Sequence, residues 1–336
     1  GRVSWSRDRL LVDRFGVERL RGTIDPDWSS GDPGGVVRNA VQTARRQRRR
    51  GRLDAASALL DAVAPMLDEV PARIRARLAA ELRAERTLAA LSMERPDAAE
   101  LALYTLDRAP PDDEVAALTA LVQLARSVLR GDPSAAVAQA ADAPPLDHPE
   151  LEVWRQGCRV QAARLQGPEA EREMLDALAG WARGDRHRSA KWTSWRANHD
   201  YRLGRFVEAA TAHERAAAGK TGVDRVASTV GAASAWLEAL ELDQAERWAQ
   251  RAARQAHRLR HPTFEAVATW LVRTAAYRRG RPRPPDPSLV TAAAALKPYL
   301  GALFATTDAA TWFRRGDLQR CAALAAQAAP WFAQAS

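Results

Sequence analysis

Three short constellations in this 336-residue chain carry residue types that could do chemistry. Gly219-Lys220-Thr221 reproduces the tail of a phosphate-binding loop, in which backbone N–H groups and a lysine hold phosphate oxygens. That loop needs a glycine five residues before Gly219, where Glu214 stands, and no strand-like stretch precedes it. The triplet therefore reads as a helix-ending turn. His257 and His261 are spaced i, i+4, which can place two imidazoles on one helix face as a metal pair requires. No glutamate lies between them, Pro262 follows at once and no third ligand is near in sequence, so no metal is expected there. Cys158 and Cys321 are too few for a disulfide framework or a metal cage and read as small core residues. His148, His187, His199 and His213 are scattered, and carboxylates stand singly on charged faces or at turns such as Asp132 and Asp317. Neither an enzyme nor a cofactor is expected.

The elements that must position these residues are marked by glycines. Gly131, Gly167 and Gly204 are 36 and 37 residues apart, and Gly280 and Gly316 are 36 apart. The 76 residues from Gly204 to Gly280 hold two periods, with the missing turn near Leu240-Glu241. Gly51 lies 80 residues before Gly131, with Arg95-Pro96-Asp97 at the missing turn. A fixed period of this size predicts stacked supersecondary units rather than one closed core. Ala and Leu dominate the apolar residues, Val and Ile are sparse, and no stretch alternates as a strand.

The residues after each turn repeat too. Gly51-Arg52-Leu53-Asp54-Ala55-Ala56, Gly204-Arg205-Phe206-Val207-Glu208-Ala209, Leu240-Glu241-Leu242-Asp243-Gln244-Ala245 and Gly316-Asp317-Leu318-Gln319-Arg320-Cys321 share one shape. A left-handed residue ends one helix, a large apolar residue two positions on opens the next stripe, and a small residue three later lets helices approach. Ala216, Ala252 and Ala328 continue that stripe seven residues on. Trp236 and Trp312 stand four residues before their turns. This pattern resembles the tetratricopeptide (TPR) family over residues 36 to 331, with a degenerate first-helix signature and a longer period. The resemblance implies an all-α solenoid of about eight helix-turn-helix hairpins forming a right-handed superhelix. The Ala/Arg-rich hairpins and His257-Arg258-Leu259-Arg260-His261-Pro262 also resemble the repeat tails of large signal-transduction ATPases of the STAND type. That likeness implies a sensor or scaffold region of a larger bacterial regulatory protein.

Residues 1–35 differ in character and end in Asp25-Pro26-Asp27-Trp28-Ser29-Ser30-Gly31-Asp32-Pro33-Gly34-Gly35, which has linker chemistry; 36–336 form the repeat domain. Pro110-Pro111, Pro144-Pro145 and Pro284-Pro285 are expected between helices. No apolar run is long enough to cross a membrane, no secretory leader precedes the repeats, and two cysteines suit a reducing cytoplasm. The start at Gly1 and the uncapped end at Trp331-Phe332 suggest a piece of a longer chain.

In TPR proteins the first helix of each hairpin lines the binding groove. Aligning the turns predicts that Trp154, Gln161 and Arg164, then Lys191, Ser194, Asn198 and Tyr201, then Val267, Trp270, Thr274 and Tyr277 point inward. Amides, hydroxyls, rings and arginines suit an extended peptide or an acidic protein segment. The alternative for Trp154 and Trp270 is packing between hairpins. Ser194 stands where a carboxylate-clamp lysine would be in that family, so Asn198 alone does not restore the clamp. Net charge is +9, and of 50 basic residues only Lys191, Lys220 and Lys297 are lysine. The basic patch Arg38, Arg45, Arg46, Arg48, Arg49 and Arg50 is the place to test a second reading, nucleic-acid binding along an arginine face. Its competitor is local: arginines before turns face the negative end of a helix dipole.

Overall fold

The computed structural model describes residues 32–93, 97–100 and 113–333. The N-terminal segment up to residue 31, the turn expected at Arg95-Pro96 and the break at Pro110-Pro111 lie outside the described residues. The described residues are all-α, without strands, and neighbouring helices pack in sequence order in the manner of a helical repeat. No helix among them is long and apolar enough to cross a membrane. The chain divides into two compact units, 1–176 and 177–336.

The first unit holds α1 (Pro33–Arg49), α2 (Leu53–Val63), a 3-10 helix (Ala64–Glu69), α3 (Ala72–Ser92), α4 (Asp113–Arg130), α5 (Pro133–Asp142) and α6 (Pro149–Gln166). Residues 97–100 are helical as well. Helix α7 (Pro168–Ala182) carries the boundary. The second unit continues with α8 (Arg186–Arg202), α9 (Phe206–Gly219), α10 (Gly222–Glu238), α11 (Leu242–Leu259), α12 (Pro262–Arg278), α13 (Pro287–Leu296), α14 (Pro298–Arg314) and α15 (Leu318–Ala333). Asp132, Asp185 and Asp286 cap the starts of α5, α8 and α13 by accepting from backbone N–H groups one turn in. Pro144-Pro145 and Pro284-Pro285 fall between helices, as expected.

The turns at Gly51, Gly131, Gly204, Gly280 and Gly316 are each closed by one hydrogen-bond pair. At Gly204 the glycine N–H donates to the Tyr201 carbonyl and the Arg205 N–H to the Asp200 carbonyl, at 3.1 and 2.9 Å. This double bond requires a left-handed residue, and Gly204 has φ 75°. Leu240, where the glycine is missing, adopts φ 62° and forms the same pair to Leu237 and Trp236. Arg260, between α11 and α12, does likewise at φ 52°.

Alanine sets the distance between helices. Ala56, Ala209, Ala216, Ala245, Ala252 and Ala328, the small positions of the repeat, are all buried, and α11 adds Ala249 and Ala256 to one continuous stripe. Cys321 departs from the expectation: it is half-buried, while Cys158 is a core residue whose thiol is pushed up to about 12 by burial.

Arginines before the turns do more than face their own helix dipole. Arg278 donates to the Leu237 carbonyl at 2.7 Å, and Arg314 donates to the Tyr277 carbonyl at 2.8 Å. Each reaches the last turn of the first helix in the preceding hairpin. The pre-turn arginine thus caps its neighbour and staples hairpin to hairpin.

Candidate partner-binding hollow

Of the first-helix residues picked out by turn alignment, Lys191, Trp270, Thr274 and Tyr277 lie on seams between hairpins. Lys191 of α8 pairs with Asp224 of α10 at 2.6 Å, and Tyr201 meets Phe206 edge-on at 5.3 Å beside the buried Ala209–Ala235 contact. Ser194 and Asn198 are half-buried on α8. Trp270 of α12 donates its indole N–H to Thr307 Oγ1 of α14 at 3.0 Å, Thr274 lies 3.4 Å from the same hydroxyl, and Arg314 stacks over Tyr277 at 3.9 Å. Val267 packs against the same two core clusters as Trp270. In the first unit Trp154 leans on the apolar core, Arg164 pairs with buried Glu171, and Gln161 is exposed.

The arginine run is largely committed to the fold. Arg45 and Arg48 converge on Glu85 of α3, whose side chain is 1 % exposed, at 2.5 and 3.1 Å. Arg48 also reaches Glu150 at the start of α6 at 2.6 Å, and Arg49 joins it. These arginines hold the Glu150 carboxyl down to about 2 against the opposing effect of its burial. Arg46 donates to Thr43, and Arg38 and Arg50 are exposed. Three of the six guanidinium groups are therefore spent on carboxylates 37 to 102 residues away.

Gly219-Lys220-Thr221 is the turn from α9 to α10, as read from the sequence. The Lys220 side chain folds inward, 4 % exposed, and its Nζ donates to Ser228 Oγ at 2.8 Å. Burial, with the nearby Lys191 charge, pushes it down to about 7. His213 is also buried, and its ring fills the space a Cβ on Gly231 would need, 2.7 Å away. Burial lowers that imidazole to about 4. The pair is a covered packing cluster between α9 and α10. His257 and His261 do not share a helix: the first ends α11 beside Glu265, and the second caps α12 by accepting from the Phe264 N–H. Among the described residues no His, Cys and carboxylate cluster could hold a metal ion.

A hollow of about 950 Å³ lies between α8 and α9 in the second unit. Its lining from α8 includes Arg186, Trp192 and a stripe at helical spacing, Ser189, Thr193, Arg196 and Asp200, with Ala190 and Ala212 as small residues beneath. Val207, Thr211 and Arg215 form the α9 wall and are exposed. This α8 stripe faces away from the Lys191–Tyr201 stripe that meets α10. The signal was present: Ser189, Thr193, Arg196 and Asp200 form a second polar stripe.

No family model matches the chain, and no curated protein does either.

Proposed function

We propose that this chain is a non-catalytic, TPR-like docking module that holds a protein partner, in keeping with the sensor or scaffold region of a larger bacterial regulator that its repeats resemble. The observation that carries this reading is the hollow between α8 and α9, lined by Trp192, Ala190 and Ala212 together with arginines and hydroxyls. The competing nucleic-acid reading loses its main support because Arg45, Arg48 and Arg49 are held by Glu85 and Glu150.

The test is retention of proteins from the source extract by the immobilised chain at about 0.1 M and about 0.5 M salt, with and without nuclease. A discrete protein retained at high salt after nuclease, and lost at least about tenfold in Thr211→Trp, is the expected result. Thr211 is exposed, so the substitution fills the hollow without disturbing the core. Nucleic acid recovered only at low salt, or retention indifferent to Thr211→Trp, would sink the proposal.

A further inference from the structure

We infer that the exposed face of α11 binds the phosphate backbone of a nucleic acid through Arg247, Arg251, Arg254 and Arg258. This surface is additional to the α8–α9 hollow and does not rest on the docking reading. Two independent observations lead there.

The first is unpaired charge in a regular row. The four arginines follow one another at steps of four, three and four residues, so they share one side of the helix. All four are exposed, and among the described residues no carboxylate meets any of them. The two carboxylates of α11 itself, Asp243 and Glu246, are held by Arg279 at the end of α12. Glu265, at the start of α12, lies against His257 at 3.1 Å. Arg251 stacks over the Trp248 ring at 4.9 Å, and Arg258 donates to the Arg254 carbonyl at 3.2 Å. Neither contact supplies a negative charge. Arg45, Arg48 and Arg49 are the opposite case, since Glu85 and Glu150 neutralise them. Like charges four residues apart weaken a helix, and the stripe contains two such pairs, Arg247–Arg251 and Arg254–Arg258. A row of external anions relieves that repulsion.

The second observation is that the face carries nothing apolar. No apolar side chain of α11 is exposed: Leu242, Trp248 and Leu259 pack on the core cluster, and the alanine stripe from Ala245 to Ala256 is buried. A protein interface draws its affinity from apolar and aromatic anchors. A helix lying on a membrane buries an apolar face at the edge of the acyl chains. The α11 face offers neither, whereas a phosphate backbone asks for positive charge and hydrogen-bond donors. The guanidinium fork matches two phosphate oxygens at once. From Arg247 to Arg258 the stripe runs about 16 Å at 1.5 Å per residue. One strand of a duplex carries about five phosphates over that length, an acceptor for each arginine. Trp248 is half-buried with Arg251 over its ring, so it is no platform for an unpaired base. The contact is therefore with the backbone, independent of sequence, and suits a duplex.

The experiment titrates the full chain against a fluorescein-labelled duplex of about 20 base pairs and arbitrary sequence, read by anisotropy from about 0.05 to about 0.3 M salt. Four phosphate contacts predict that the logarithm of the association constant falls with the logarithm of salt at a slope of about 3 to 4. Arg247→Gln/Arg254→Gln removes one member of each like-charged pair and leaves the Trp248 stack in place, so its urea midpoint should not fall. Its binding near 0.1 M salt should weaken at least about tenfold, and its slope should drop by about two. The control, Arg38→Gln/Arg50→Gln, makes the same change in net charge at two exposed positions and should stay within about twofold of the parent chain. Equal weakening in the control would mean attraction by net charge alone and overturns the stripe. Undiminished binding in the α11 variant overturns it too, as does no binding up to about 100 μM at the lowest salt. Binding to oligoglutamate or to phosphatidylserine vesicles as tight as to the duplex at equal salt would give the face to an acidic protein segment or a membrane, and overturns the nucleic acid. The docking reading stands or falls separately, on a protein retained near 0.5 M salt and lost in Thr211→Trp. A chain that binds the duplex and retains no such protein keeps this inference and loses that reading.

Discussion

Lys220 sets a pH dependence that the sequence does not announce. Its amine is covered and titrates at about 7 in the folded chain, against 10.5 when solvated. Between those values the unfolded state holds the proton and the folded state does not, so stability rises with pH through that window and is flat below it. The slope approaches about 1.4 kcal/mol per pH unit. Lys220→Met removes the buried charge and should stabilise the chain at neutral pH by about 2 kcal/mol, the advantage shrinking towards pH 10 or so. Urea unfolding of both proteins near pH 7 and near pH 9.5 checks this, and parallel pH profiles would refute it. His213 acts in a separate window. Its ring is held at about 4 against 6.5 in solution, so it loses stability for the fold only as pH drops below 6.5. The sequence identified Lys220 as a turn residue. That its side chain turns in depends on Ser228, eight residues on in the next helix, which no local pattern specifies.

At the scale of elements, the turns were legible, and which neighbour each face meets was not. Glycine at Gly204 or Gly280 is demanded by the left-handed backbone, and the spacing of such residues counts the hairpins. Leu240 was found by the residues around it, and the structure adds the cost. A non-glycine residue at φ 62° carries about 1 kcal/mol of strain, and its side chain is 70 % exposed with little packing to lose. Leu240→Gly should therefore raise stability by about 0.5–1 kcal/mol after the added chain entropy of glycine is subtracted. Thermal unfolding measures it, and a lower midpoint would mean that the Leu240 side chain packs more than its exposure suggests. Faces are harder because α8 has two polar stripes. Lys191 and Asn198 on one side and Thr193 and Arg196 on the other look alike in sequence. Only Asp224 and the other residues of α10, about 30 positions away, decide which stripe is sealed. The run Arg45 to Arg50 poses the same difficulty: its partners Glu85 and Glu150 belong to other hairpins.

At the scale of the whole chain, each compact unit closes its own apolar clusters. Val36 to Ala89 and Ala84 to Ala162 form those of the first. Val226 to Ala275 and Val290 to Ala328, which share Val267 and Trp270, form those of the second, with Ala209, Ala210 and Ala235 as a smaller one. In a helical repeat the stability of a segment is approximately the sum of its own hairpins and the interfaces between them. Residues 168–336, which keep α7 whole, contain every interface of the second unit and every residue lining the hollow. That fragment should fold alone, with far-UV dichroism of a mostly helical chain and a cooperative urea transition. It should also retain the extract partner at about 0.5 M salt with an affinity within about threefold of the full chain, since the hollow takes nothing from residues before 168. A helical fragment without a cooperative transition would mean that its clusters need the first unit to pack. A folded fragment that loses the partner would place part of the docking surface before residue 168, and the hollow would then be one portion of a larger site.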